Sequence, residues 1–416
     1  MNVRKLLLPE SELKKIEEDK NKWLAKGLET GGYLFGRLYP NGVAEVTHVI
    51  DGGPKAERAP ASFSGDNEYA MKIKDELRKE NPKILLLGEY HLHPWDGIPR
   101  LSHVDLHQLK IAKELRPWFI VLLTTKGQFK IWNLNDSIEP VEVQVQVAKC
   151  VENREKILDR ILEITKHDIL IRKTALIVGL GSLGSVVAKY LGCSGLGRMI
   201  LVDNEELEVV NLIRHEGCIE EIGKRKVDIC KRIIENHNPY CVVETYDFDA
   251  TKNVDKLNEL ACESDLIVSS SGSPRISNIL NKISLDNKIP AIYGGIYERA
   301  VGGFVLAVKP FETACLNCVF GSELIQKPLS IDRETIARYG LNEEELHKQQ
   351  GLWIDISFPA LIVAKTALTL LEERQLDYNL VLYDSNLEIT KVKVERRRNC
   401  ASCNEEEWAK EVLGED

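Results

Sequence analysis

Two histidines two positions apart, His91 and His93, are followed by Pro94, a gap of seven residues, and then Ser102 and Asp105. Side chains at i and i+2 of a strand share a face, so both imidazoles can reach one metal ion. Asp105, near the start of the next helix, can supply a third ligand, which leaves the fourth position of a tetrahedral zinc for water. An open position marks a catalytic rather than a structural ion, and the activated water still needs a base to accept its proton. That base must be an acid from elsewhere in the chain. Ser102 and Asp105 by themselves fit equally a helix N-cap and a first-turn acid favoured by the helix dipole. His103 and His107 flank the site on the same helix and read as surface or supporting residues, not ligands.

A second constellation starts at Gly179-x-Gly181-x-x-Gly184, between an apolar run and a helical pattern. Such a loop lets the backbone approach phosphates at a helix N-terminus. Asp203, closing the next apolar run, can accept hydrogen bonds from ribose hydroxyls. Both features suit NAD as well as ATP. Asn211, Arg214 and Lys226 separate the two readings, because they place an amide and two cations where a triphosphate needs neutralising. Further on, Cys315-x-x-Cys318 and Cys400-x-x-Cys403 form a four-thiolate structural zinc signature. Cys193, Cys230, Cys241 and Cys262 lie in apolar or helical contexts and read as core thiols. Cys218, between Arg214 and Lys226, is the least implausible additional nucleophile.

Scaffolds must hold these groups. Up to about residue 150, short strands at 32–37, 44–50, 84–91, 118–124 and 129–133 alternate with helical segments such as 69–79, which predicts an α+β domain over 1–150. Residues 151–167 are highly charged, with Ile157, Ile161, Leu162 and Ile164 at helical spacing, and predict an amphipathic connector helix. Over 168–416, strands alternating with helices predict an α/β domain with a doubly wound parallel sheet. The length of 416 residues agrees with two or three domains. With 55 basic and 64 acidic residues the net charge is −9, which opposes binding to nucleic acid or an anionic membrane surface. Three consecutive leucines near the start are too few for a signal peptide, and the uncharged stretch 174–188 is too short for a membrane helix. The expectation is a cytoplasmic protein whose thiols stay reduced.

The first constellation resembles the JAMM (MPN+) metalloproteases, a family that includes deubiquitinases. The spacing His-x-His-Pro-x7-Ser-x-x-Asp matches without a gap, and Glu29, before the glycine-rich stretch 31–36, resembles the family's glutamate element. The resemblance implies His91, His93 and Asp105 as ligands of a catalytic zinc, Glu29 as general base, and Ser102 as a hydrogen-bond donor to the tetrahedral intermediate. It implies cleavage of peptide or isopeptide bonds after the C-terminal glycine of a ubiquitin-like protein.

The second constellation resembles the ThiF/MoeB and ubiquitin-activating-enzyme family, with a Rossmann-like fold. There the resemblance implies that Gly179, Gly181, Gly184, Asp203, Asn211, Arg214 and Lys226 bind ATP while a ubiquitin-like C-terminus is adenylated, and that Cys315, Cys318, Cys400 and Cys403 hold a structural zinc. It also implies a homodimer, with an arginine such as Arg154, Arg160 or Arg172 reaching the partner's ATP site. Two departures stand out. The family's Mg2+-holding acid is replaced within Ser269-Ser-Ser-Gly272-Ser273, and the thioester cysteine is missing from 319–352. The fusion resembles components of bacterial ubiquitin-like conjugation operons, some tied to antiviral defence. Three functions follow: a bifunctional processing and activating enzyme, an isopeptidase whose second domain is a docking platform for the tag or its conjugating-type carrier enzyme, or a sulfur-carrier activating enzyme.

Overall fold

A computed structural model of the chain describes residues 2–148, 157–297, 300, 302–324, 351–384 and 387–404. It divides into two compact units, Met1–Ile157 and Leu158–Asp416.

The first unit runs β1 (Lys5–Pro9), α1 (Glu10–Leu24), β2 (Thr30–Leu38), β3 (Val43–Asp51), β4 (Glu57–Ala59), β5 (Ser62–Ser64), α2 (Asn67–Glu80), β6 (Leu85–Leu92), α3 (His103–Leu115), β7 (Ile120–Thr124), β8 (Phe129–Leu134), β9 (Pro140–Glu142) and β10 (Gln144–Ala148). All but the small β4–β5 hairpin join one mixed sheet, ordered β10-β1-β3-β2-β6-β7-β8-β9. Each face of the sheet is apolar and buries against helices. Leu13 and Ile16 of α1 pack on Leu6, Leu34, Leu87 and Tyr90. Ala70 of α2 and Leu109 of α3 cover Tyr33, Phe35 and Val121 on the opposite face. Central β2 pairs with β6 so that Gly31 lies opposite His91 and Tyr33 opposite Glu89. That register carries the histidine strand through the middle of the sheet.

The second unit holds β11 (Thr174–Val178), β12 (Arg198–Val202), β13 (Val242–Tyr246), β14 (Leu266–Ser269), β15 (Ala291–Ile296), β16 (Gly302–Val308), β17 (Leu380–Asp384) and β18 (Ile389–Val392). Their order is β13-β12-β11-β14-β15-β16-β17-β18. The first five are parallel and the last three antiparallel. Parallel strands covered on both faces must be apolar throughout, and β11, β12 and β14 are buried along their whole lengths. The helices are α4 (His167–Leu170), α5 (Gly184–Cys193), α6 (Lys226–His237), α7 (Val254–Cys262), α8 (Pro274–Asn287), α9 (Leu316–Leu324) and α10 (Trp353–Leu371). One face of the sheet packs on α5, α6 and α10, the other on α7 and α8. Helix α10 is long and apolar enough to cross a membrane by composition, but Ile356, Ala360, Val363, Ala364 and Ala367 pack into the first of these cores. Chain order reverses between β11 and β14, and such a switch point opens a crevice at the strands' carboxyl ends.

The connector helix expected over 151–167 does not form in its described part at 157–165. Residues 151–156 lie outside the described residues, and 157–165 make successive turns, with Thr165 N–H bonding Ile161 O at 3.0 Å. Ile157, Leu162 and Ile164 remain exposed, so the helical apolar stripe finds no surface in its unit to bury against.

Candidate functional sites

In the first unit, α3 begins with a reciprocal cap. Asp105 N–H donates to Ser102 Oγ at 3.1 Å, and Ser102 N–H donates to Asp105 Oδ2 at 2.7 Å. This satisfies two orphan amides of the first turn and fixes the Asp105 carboxylate against β6. Asp105 Oδ1 lies 3.2 Å from His91 Nδ1 and Oδ2 lies 3.4 Å from His93 Nε2. On its other side, His91 Nε2 meets Glu29 Oε2 at 3.0 Å. The two imidazoles meet edge to face, with centroids 4.8 Å apart.

All four expected metal-site residues therefore converge. The tightest set is Glu29, His91 and His93, whose donor atoms lie within 4.8 Å of one another. Asp105 stands beside this set, because one of its oxygens is drawn to the cap. Burial acts to lower the His91 pKa, but hydrogen bonds that the ring donates to Asp105 and then Glu29 outweigh it and raise the ring to about 9. Burial acts to raise the Asp105 pKa, but hydrogen bonds from His91, His93 and Ser102 hold its carboxyl well below the usual range. His93 Nδ1 is buried without a hydrogen-bond partner. Two imidazoles, one with a buried ring nitrogen left unbonded, and two carboxylates are a donor set that fits zinc.

Sequence reasoning missed the groups that hold Glu29 in place. Asp19 of α1 accepts from Thr30 Oγ1 and from the Tyr90 hydroxyl, each at 2.9 Å, and from Trp23 Nε1 at 3.1 Å. Arg58 Nε donates to Thr30 Oγ1 at 3.1 Å while its guanidinium lies over Trp23, 4.4 Å from the ring centroid. Glu29 N–H itself bonds Ala59 O at 2.9 Å, so the β4–β5 hairpin is tied to the base of the site. Aromatic walls complete it: Phe63 lies 5.8 Å from the His91 ring, and Trp95, 46% exposed, lies 4.2 Å from His93. Trp95 follows Pro94 directly, and only that adjacency could have flagged it.

In the second unit the crevice at the β11/β14 switch point brings together the glycine loop, Asp203 and, through Glu205, Lys226. Gly179 has φ +91°, and a Cβ on Gly184 would stand 1.9 Å from Gly179 O. Only glycine lets this turn close on itself. Gly181 borders open space. Leu180 N–H donates to Asp203 Oδ2 at 2.6 Å, and Glu205 N–H donates to Oδ1 at 2.8 Å. Burial raises the Asp203 pKa. Lys226 opens α6 with its side chain buried and paired with Glu205. Asn211 and Arg214 sit on a 3-10 turn, Val209–Arg214, where Asn211 Oδ1 accepts from Glu208 N–H at 3.0 Å. The serine loop after β14 closes the other side, with Ser270 Oγ donating to Gly179 O at 2.7 Å and Ser269 Oγ 3.0 Å from Ser277 Oγ. The loop offers hydroxyls but no carboxylate for Mg2+, so an acid from elsewhere in the chain would have to join them.

The paired cysteines also meet. Sulfur separations are 3.8 Å for Cys315–Cys318, 3.7 Å for Cys315–Cys400 and 3.4 Å for Cys318–Cys403. Four sulfurs bound at 2.3 Å to a tetrahedral zinc stand about 3.8 Å apart, so the buried quartet fits that ion. Arg397 N–H points at Cys318 Sγ from 3.4 Å, as the amide partner of a ligating thiolate does. Among the other thiols, Cys230 and Cys241 are buried as expected, and Cys193 is partly so. Cys262 is not a core thiol: it ends α7, exposed, with its sulfur 3.2 Å from Asn287 Oδ1. Cys218 is exposed, and hydrogen bonds to Glu220 and Glu221 push its pKa up, the reverse of what activates a thiolate. Arg160 and Arg172 are exposed, and Arg154 lies outside the described residues.

Residues 156–404 match the ThiF family. Ubiquitin-like modifier-activating enzyme 5 of Drosophila mojavensis is 28% identical over 205 residues, covering 47% of this chain and 51% of that protein. Its counterpart in Drosophila virilis is 27% identical over 230 residues, covering 53% and 56% respectively. The chain thus spans about half the length of these curated relatives. Among solved structures, E. coli MccB with succinimide aligns at 20% identity and a TM-score of 0.47, over 57% of this chain and 68% of that one. The switch-point crevice with its glycine loop is therefore the nucleus of a recognised family domain: the chain belongs to the ThiF family.

Proposed function

We propose that this chain is a bifunctional enzyme of a ubiquitin-like protein pathway. Its second unit uses ATP to adenylate the C-terminal glycine carboxylate of a ubiquitin-like protein. Its first unit is a JAMM-type peptidase that hydrolyses peptide or isopeptide bonds after such a glycine. The observation that carries the reading is convergence at two separate places: Glu29, His91, His93 and Asp105 in one unit, and the glycine loop with Asp203 and Lys226 in the other.

In adenylation, a substrate carboxylate oxygen bonds to the α-phosphorus and the bond to pyrophosphate breaks. The glycine loop presents its backbone to the phosphates, Asp203 takes the ribose, and Asn211, Arg214 and Lys226 offset the negative charge that the leaving group gathers.

For hydrolysis, His91, His93 and Asp105 would hold zinc, and Glu29 is close enough to share that shell or to act beside it. Zinc would supply Lewis-acid polarisation of the scissile carbonyl and lower the pKa of water. Glu29 accepts the proton of the attacking water and returns it to the departing amine. Ser102, at the start of α3, would donate to the tetrahedral intermediate, and the Trp95 and Phe63 rings flank the two histidines. The Cys315–Cys318–Cys400–Cys403 quartet holds a structural zinc.

Intact-mass spectrometry of a ubiquitin-like protein with a C-terminal extension, incubated with the chain, zinc and MgATP while pyrophosphate is followed, tests both halves. Loss of the extension with ATP-dependent adenylate supports the reading, and an unchanged partner sinks it. A second reading, in which the ThiF-family unit is a docking platform, draws on the serine loop that replaces the acid. Trimming without pyrophosphate release would favour it.

A further inference from the structure

We propose that His215 is a positioning residue of the nucleotide site, whose ring clamps the carbonyl of Leu180 and so aims the amide N–H of Gly181 toward the phosphates. This rests on the nucleotide-binding reading above. His215 directly follows Arg214 and is 2% exposed. Its Nδ1 accepts the Gly217 N–H at 2.9 Å. A backbone amide only donates, so Nδ1 carries no proton, and the neutral ring carries its single proton on Nε2. Nε2 in turn donates to Leu180 O at 2.9 Å. One tautomer satisfies both partners, and burial of the ring keeps it neutral by lowering its pKa.

Leu180 is held from its other side too, since its N–H is bonded to Asp203. Both peptide groups around its α-carbon are therefore fixed. A trans peptide points its C=O and N–H in opposite directions, and the chain contains no cis bond among the described residues. With the Leu180 carbonyl on the His215 ring, the N–H of Gly181 is turned away from that ring. Gly181 is the glycine of the motif that borders open space, whereas Gly179 and Gly184 are crowded by backbone. An N–H set this way beside a helix N-terminus is what an anion needs. The same ring joins the Arg214 segment to the glycine loop, so the two phosphate-facing elements share one anchor.

Three substitutions in the full chain separate the ring's two bonds. H215Q keeps a donor near Nε2, H215N keeps an acceptor near Nδ1, and H215A removes both. Affinities for ATP and adenosine are measured by calorimetry, with melting midpoints taken without nucleotide. The clamp predicts that H215A and H215N weaken ATP about tenfold, that H215Q stays within about threefold of the unsubstituted chain, and that adenosine binds all four proteins alike. Equal ATP affinity across the set overturns the clamp and leaves the nucleotide site standing. Affinity kept by H215N and lost by H215Q also overturns it, assigning the ring to the Gly217 turn. If the unsubstituted chain binds no ATP, the nucleotide reading falls and takes the clamp with it. Should H215A fail to fold, the comparison of H215Q with H215N still decides.

Discussion

Glu29 Oε2 lies 3.0 Å from His91 Nε2, joining residues 62 positions apart. Because Asp105 faces the other ring nitrogen at 3.2 Å, the metal-free imidazole is flanked by two acceptors and holds both protons up to about pH 9. Zinc must displace one of them. With the cysteine quartet already loaded, calorimetry in buffers of different ionisation enthalpy should therefore register about one proton released as zinc enters the histidine site at pH 7.5, fading above pH 9. The linkage has a definite sign. A folded pKa raised above 6.5 favours the metal-free fold fully below that value and loses the contribution as pH climbs through about 9. The melting midpoint of metal-free protein should fall across this window, and H91A should flatten the fall.

Replacing Glu29 by Gln keeps its shape and removes its basicity. Cleavage of a ubiquitin-like substrate should drop about 10²- to 10⁴-fold. Zinc content by mass spectrometry should be unchanged in E29Q and fall by one ion per chain in H91A. Undiminished cleavage in E29Q would remove Glu29 as the base.

Two glycines of one motif should respond differently to the same methyl group. At Gly184 a Cβ meets Gly179 O at 1.9 Å, so G184A should destabilise the second unit by about 1–3 kcal/mol, read by denaturant unfolding. At Gly181 a Cβ meets nothing within 4 Å. G181A should fold normally and weaken ATP, because the methyl occupies space the phosphates need.

The cysteine quartet should contribute stability rather than chemistry. C400S should lose one zinc and lower the melting midpoint by about 5–10 °C. Pyrophosphate release by the surviving folded protein at 20 °C should change little.

Val209, Val210 and Ile213 are 67–78% exposed on the turn that also carries Asn211 and Arg214. Apolar side chains gathered so openly mark an association surface. Mass photometry should find the homodimer that the family resemblance implies, and a V210D/I213D double variant should sediment as a monomer. A monomeric unsubstituted chain would refute the dimer.

What could be read in advance follows from how local each signal is. The Gly179–Gly184 loop, the capped Ser102–Asp105 turn and the cysteine pairs each lie within six residues, and local spacing encodes them. The strand expected at 84–91 forms as Leu85–Leu92 because its apolar run must be covered on both faces. The support of Glu29 was illegible for the opposite reason. Asp19 reaches Thr30 across 11 residues and Tyr90 across 71, and no periodicity relates such positions. His215 likewise meets Leu180 across 35 residues. At 157–165 helical spacing was present without a partner surface, and pattern alone did not suffice. Cys262 was misjudged because the end of a helix exposes even an apolar residue.

Zinc on the cysteine quartet would also make the chain from Cys315 to Cys403 a closed ring. The entropy of closing a ring grows only with the logarithm of its length, so doubling the enclosed span costs about 0.6 kcal/mol. Because β17 and β18 lie inside that ring, zinc on the four thiolates would tie the antiparallel edge of the sheet to α9 through a single cross-link.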